Sequence, residues 1–242
     1  MRGFNNIYEN YLDLLKIFRV NHISEMEHTT IPIETEYGTD SIHVYDNVYR
    51  NPDKVRDYCS KQIFTKDSLP GVYSVKKDVD VWACDSVVRH LGGNFKYILK
   101  EISKRYRIFN NDIVRTIILK SSVINEPLNV QIHQDLVKPT IEEFFIERDA
   151  WQSVIYLNKP EECSGGTTTY MLKRAYDLGY IPGQQKNALK EEDFIETSYT
   201  KMKYNRLVTY PGHVWHAAKI EDVDSFKDFY RIVQTFNWRR LV

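Results

Sequence analysis

The chain has little cysteine, no net charge, no long apolar run and no repeat, and each shortage removes a class of protein. Its three cysteines, Cys59, Cys84 and Cys163, are odd in number and far apart. They make neither a CxxC metal pair nor a disulfide framework, so a reducing compartment is the simpler reading. Lys+Arg and Asp+Glu both number 33, so no positive field draws in phosphate backbones or an anionic membrane surface. The expectation is no strong nucleic-acid partner and no membrane association. The longest apolar runs, such as Ser153 to Leu157, are strand-sized, and the N-terminal MRGFNNIYENY lacks the apolar core of a signal peptide. A cytoplasmic location is therefore expected. No low-complexity tract is found.

What is present is ordinary for a globular domain. Apolar residues make up 42% and charged residues 27% of 242 residues, enough for one full hydrophobic core, so a single domain over 1–242 is expected. Residues 1–112 are read as an N-terminal arm with supporting helices, and 113–242 as a β-rich body. Within the arm, Ile7, Tyr11, Leu14, Leu15 and Phe18 form a short amphipathic pattern, and Ser24 to Thr30 reads as a polar linker, so this part is expected to be peripheral. Ile42, Val44 and Tyr45 sit in a strand-like run. Asn51-Pro52-Asp53 then has the residues of a helix cap and first turn, with Val55, Tyr58, Cys59 and Ile63 on one helical face. A second helix is expected from Asp85 or Ser86 to about Tyr106, on the spacing of Val87, Val88, Leu91, Phe95, Ile98, Leu99 and Ile102. Gly92-Gly93 weaken its middle.

From Ile113 onward the pattern changes to short segments rich in β-branched and aromatic residues and bounded by turn formers. These are Ile113–Leu119, Leu128–His133, Trp151–Asn158, Thr167–Tyr170, Arg206–Tyr210, Val214–Ala218 and Phe229–Trp238. Helices first and many short strands afterwards predict an antiparallel barrel with helices packed outside it. The stretch from Lys173 to Tyr204, with Gly179, Pro182, Gly183 and the run Lys190-Glu191-Glu192-Asp193, reads as an insertion, a lid or binding loop near the site. Trp151, Trp215 and Trp238 are expected in the core, and Gly165-Gly166 in a tight turn with positive φ.

Two segments carry chemistry. Val130-Gln131-Ile132-His133-Gln134-Asp135 ends a strand with two metal-binding side chains at i and i+2, which a strand points to one side. Far downstream, Asn205 to Tyr210, the turn Pro211-Gly212 and His213-Val214-Trp215-His216 supply a second histidine strand. Two imidazoles and one carboxylate form the facial triad of non-heme iron(II) enzymes, leaving positions open for O2 and a bidentate 2-oxo acid. His213 competes with His216 as the third ligand. His216 is favoured because it lies within the second strand, whereas His213 reads as an exposed turn residue. Arg231, alone among apolar neighbours in Phe229 to Phe236, suits a buried carboxylate, whose two oxygens match the guanidinium fork. Tyr156 alternates inward with Val154, so its hydroxyl can reach the same carboxylate, although a tyrosine in a core more often packs with its hydroxyl satisfied.

In order along the chain stand His133 and Asp135, Tyr156-Leu157-Asn158, Glu161-Glu162, Gly165-Gly166-Thr167, Pro211-Gly212, His216 and Arg231. This sequence of motifs resembles the iron(II)/2-oxoglutarate oxygenases, in particular the prolyl-4-hydroxylase-like branch and its phage and marine bacterial relatives, over about residues 113–240. Two departures stand out: the long Lys173–Tyr204 stretch, and a gap between His216 and Arg231, filled by Glu221-Asp222-Val223-Asp224, that is wider than usual. The resemblance implies a double-stranded β-helix barrel, mainly β with flanking helices. It implies iron(II) on His133, Asp135 and His216, and 2-oxoglutarate held at its far end by Arg231, with Tyr156 beside it. O2 is the second cosubstrate and hydroxylation of a C–H bond, with release of succinate and CO2, the default outcome. The substrate, a small molecule or a peptide, and the oligomeric state are not legible in the sequence. Two other readings fit the same fold: a barrel retained as a binding or virion-associated module, and a cupin-like metal hydrolase that needs neither Arg231 nor a 2-oxo acid.

Overall fold

The computed structural model describes residues 13–61, 64–66, 72–75, 95–103, 106–108, 115–119, 132–134, 150–173, 189–221 and 231–240. Besides a helical stretch over 13–17, twelve strands and two α-helices order along the described residues: β1 Glu27–Thr35, β2 Gly38–Asp46, α1 Pro52–Ser60, β3 Phe64–Lys66, β4 Val72–Val75, α2 Lys96–Ile102, β5 Tyr106–Ile108 and β6 Arg115–Leu119 come first. β7 Ala150–Tyr156, β8 Gly166–Leu172, β9 Phe194–Lys201, β10 Leu207–Pro211, β11 Trp215–Lys219 and β12 Arg231–Arg240 follow. Among the described residues every pairing is antiparallel. Nine strands form a major sheet in the order β1-β2-β10-β7-β12-β6-β4-β3, with β5 also on β12, and β11-β8-β9 form a minor sheet. The two sheets form the double-stranded β-helix arrangement that the resemblance implies, and the run of short strands is the antiparallel barrel expected of it.

Alternation along the central strands decides which side chains go where. On β7 and β12, Trp151, Ile155, Ile232, Phe236 and Trp238 point outward and bury against Leu14, Phe18, Val55, Cys59, Phe95, Ile98 and Leu99 of the helical layer. Their neighbours Val154, Tyr156 and Val233 point inward and meet Ile33, Ile42, Val44, Val208, Tyr210 and Val214 between the sheets. Trp238 is fully buried, and its indole N–H donates to Ser153 Oγ at 3.2 Å and Thr209 Oγ1 at 3.1 Å. The outer side of the minor sheet carries a smaller cluster of Leu172, Phe194 and Trp215, joined by Ile132 and Tyr170. Among the described residues no helix is long and apolar enough to cross a membrane.

Several expectations are corrected. The N-terminal arm is not peripheral: Leu14 and Phe18 are core residues at 3% and 1% exposure, and the polar stretch expected as a linker leads straight into β1. Almost nothing in β1 alternates apolar with polar; its ladder to β2, from Glu27 opposite Asp46 to Thr35 opposite Gly38, supplies the strand, and Pro32 is tolerated at this sheet edge. The second helix ends at Ile102, well short of Tyr106. Ser103 is already extended at φ −148° and ψ 134°, and Tyr106 opens β5 because Trp238–Arg240 offers it a partner. The proposed start at 85–86 and the Gly92-Gly93 pair lie outside the described residues. Pro52 begins α1 as expected, but the Asn51 side chain makes no capping bond. Within the stretch read as an insertion, Phe194–Lys201 is a strand of the minor sheet, paired along β8, while 174–188 lie outside the described residues. Of Leu128–His133, only Ile132 and His133 are described.

Gly165 takes the positive φ of 73° expected of it. Gly166 serves a different need: a Cβ there would stand 2.1 Å from the Thr200 carbonyl oxygen, so only glycine lets β8 and β9 approach this closely.

Candidate metal and cosubstrate site

His133 and His216 come together through the backbone. They form an isolated antiparallel bridge in which His133 N–H donates to the His216 carbonyl at 3.0 Å and His216 N–H to the His133 carbonyl at 2.9 Å. Residues directly opposite in such a pair project to the same side, and the two ring centroids stand 4.3 Å apart with planes at 54°. Two imidazoles on one ion at a right angle, each nitrogen about 2.1 Å from the metal, would put their centroids roughly 4.5 Å apart. The donor set and its spacing thus fit a shared metal ion. His216 is 5% exposed, and its Nδ1 lies 3.0 Å from the Val214 carbonyl. That contact calls for the Nδ1–H tautomer, which carries its lone pair on Nε2, the usual bond from a metal ligand to its supporting carbonyl. Tyr210 closes over the ring from β10, centroid to centroid 4.8 Å.

Asp135, expected as the carboxylate of the set, lies outside the described residues. Among the described residues no three ligating side chains come together. His213 is not the exposed turn residue expected of it. It follows the Pro211-Gly212 turn at 4% exposure, with Nε2 3.0 Å from Asp40 Oδ2 and the Tyr37 ring edge-on at 5.4 Å.

Arg231 begins β12 on the inward face, at 4% exposure. One amino group donates to the Gly166 carbonyl at 3.3 Å and the guanidinium carbon sits 5.7 Å from the Tyr156 ring centroid. Its Nε is buried without a partner, and among the described residues no carboxylate pairs with it. Burial pulls the guanidinium below its ordinary pKa, against the opposing influence of Tyr156, Tyr210 and Tyr199. A buried cation with an idle donor is costly unless an anion answers it. Tyr156 is fully buried, its hydroxyl 2.6 Å from Thr167 Oγ1. Burial also raises its pKa, with Arg231 opposing, so it stays a neutral phenol.

The minor sheet contributes residues that sequence reasoning missed. His216 is opposite Thr169, Thr167 opposite both Ala218 and Thr200, so Thr167, Thr169 and Thr200 share the inward face with His216. Thr200 Oγ1 is buried without a partner, on the same inward face as Thr167 and Tyr156. The run Thr167-Thr168-Thr169 was a visible signal of a polar inward face; Thr200 gave none, because its strand was read as a loop. From Thr169, opposite His216, to Gly166, at Arg231, is three residues of β8, about 10 Å at roughly 3.3 Å per residue.

No family model matches the chain, and no curated protein matches it. Among solved structures, the chain is similar to HygX from Streptomyces hygroscopicus, whose structure holds nickel, 2-oxoglutarate and hygromycin B, at a TM-score of 0.52 and 10% identity over 82% of each chain. It also aligns with SnoN, a non-heme alpha ketoglutarate dependent epimerase from nogalamycin biosynthesis, at a TM-score of 0.45 and 11% identity over 78% of this chain and 69% of that one. The similarity to HygX shows the fold.

Proposed function

We propose that this protein is an iron(II)- and 2-oxoglutarate-dependent oxygenase, with His133, Asp135 and His216 as the metal ligands and Arg231 as the anchor of the cosubstrate. The observation that carries the reading is Arg231, a buried guanidinium that no carboxylate among the described residues answers, about 10 Å along one strand from a histidine pair spaced for a single ion. A five-carbon diacid chelating the metal through its 2-oxo acid end has its second carboxylate at the other end of such a span. The HygX fold, seen with 2-oxoglutarate and nickel in that protein, supports the same assignment, and the order of motifs favours the prolyl-4-hydroxylase-like branch.

Bound iron(II) and 2-oxoglutarate supply O2 activation for oxidation of a substrate C–H bond, the cosubstrate leaving as succinate and CO2. The chain's own residues bind, orient and exclude water. Arg231 would take the distal carboxylate with its unpartnered Nε–H, and Thr200 Oγ1 is a buried hydroxyl without a partner on the inward face of the minor sheet. Tyr156, held by Thr167, lies beside the guanidinium and would line the place of the same carboxylate. Val154, Val208 and Val233 wall the interior and keep water from the chelate. Hydroxylation of a small-molecule or peptide substrate is the outcome we assign.

Anaerobic titration of the iron(II)-loaded protein with 2-oxoglutarate tests this. A weak visible charge-transfer band that saturates is expected. A folded, iron-loaded protein with no such band would move the assignment to a binding barrel or a metal hydrolase.

A further inference from the structure

We infer that Gln134 and Asp40 are positioning residues for the metal, linked through His213 into a chain of contacts by which the β1–β2 hairpin sets the arm that bears His133. The inference rests on the iron reading above. His133 is bridged to β11 by two backbone bonds. Coordination tolerates displacements of only about 0.5 Å, so contacts beyond the bridge that hold this segment bear on the metal.

Alternation shows which contacts these are. Ile132 packs against the outer cluster of Leu172, Phe194 and Trp215, so His133 points inward and Gln134 outward again. From there the Gln134 amide reaches the turn after β10 and donates from Nε2 to the His213 carbonyl at 2.5 Å. The turn is closed by Val214 N–H donating to the Pro211 carbonyl at 3.0 Å. The His213 ring is in turn held by Asp40 Oδ2 at 3.0 Å and covered by Tyr37. The hairpin tip is itself clipped to the minor sheet, since Glu36 Oε1 accepts from Leu172 N–H at 2.5 Å. His133 and His216 thus gain a common reference outside their own bridge, although neither Gln134 nor Asp40 occupies a ligand position in the proposed set.

Cobalt(II) binding to the full chain, without cosubstrate or turnover, tests this through both affinity and the visible d–d spectrum. Gln134→Leu and Asp40→Ala are expected to weaken cobalt about 10- to 100-fold, the range for supporting residues behind a metal ligand, and to change the band shape. Asp40→Asn keeps an oxygen acceptor for His213 and is expected to restore native affinity and spectrum, a rescue that a general folding defect would not give. Apo thermal unfolding identifies a variant that does not fold; should Gln134→Leu be one, the Asp40 pair decides. Native affinity and spectrum in both Gln134→Leu and Asp40→Ala, with binding lost in His133→Ala, would overturn the positioning role and leave the iron reading intact. Cobalt binding indifferent to both His133→Ala and His216→Ala would remove the two together.

Discussion

His133 and His216 face one another across a single antiparallel bridge, rings 4.3 Å apart. The bridge is an isolated one, outside the named strand ladders, so each histidine can be removed without dismantling a sheet. His133→Ala and His216→Ala are each expected to lower iron(II) or nickel(II) affinity by more than about 100-fold, read by calorimetric titration, with the apo unfolding temperature close to native. An unchanged affinity in either variant would remove that residue from the ligand set.

Arg231 offers the opposite test, since among the described residues no carboxylate answers its charge. Arg231→Met should leave the apo protein at least as stable, because a buried cation is replaced by an apolar chain of similar length. Cosubstrate binding is expected to weaken by about 2 kcal/mol or more, roughly 30-fold, with metal affinity unchanged. A large drop in apo stability would mean that the guanidinium serves the fold.

At Gly166 the backbone itself sets the constraint. An alanine Cβ would sit 2.1 Å from the Thr200 carbonyl oxygen, and forcing β8 from β9 is expected to cost about 1–3 kcal/mol in urea unfolding. Because the Gly166 carbonyl also holds Arg231, Gly166→Ala should weaken 2-oxoglutarate binding as well. Loss of stability with cosubstrate affinity intact would separate the two roles.

Acid should destabilise the protein through the hairpin. Burial, reinforced by the neighbouring His28, lowers the His43 pKa to about 4, and His28 Nε2 lies 3.2 Å from His43 Nδ1. The folded state therefore resists a proton that the unfolded chain accepts near pH 6.5. The resulting stability is complete above about pH 6.5 and is lost as pH falls from there toward about 4. His43→Gln is expected to flatten this part of the curve of unfolding temperature against pH; an unchanged slope would place the effect elsewhere.

How much of this was legible depends on the kind of signal. Strands β7, β10, β11 and β12 were read to within about two residues because their β-branched and aromatic content is a periodic local feature. The histidines and Arg231 stood out because metal and carboxylate chemistry restrict residue type. β1 and β9 were missed, since polar strands such as Glu27–Thr35 and Phe194–Lys201 owe their existence to the neighbours they pair with. His213 was misjudged for the same reason: Asp40 and Tyr37, which bury it, come from the far end of the chain.

By itself, then, the sequence determined the alternation that separates inner from outer side chains, and the residue types able to hold a metal and a carboxylate. Both follow from rules that act over a few neighbouring positions. Only the tertiary structure decided which histidine meets His133, that no carboxylate among the described residues meets Arg231, that Gly166 must have no side chain, and that the hairpin is linked through His213 to the segment bearing His133. Each of those depends on which strand comes alongside, and pairing between distant segments is set by the summed burial and hydrogen bonding of the whole barrel.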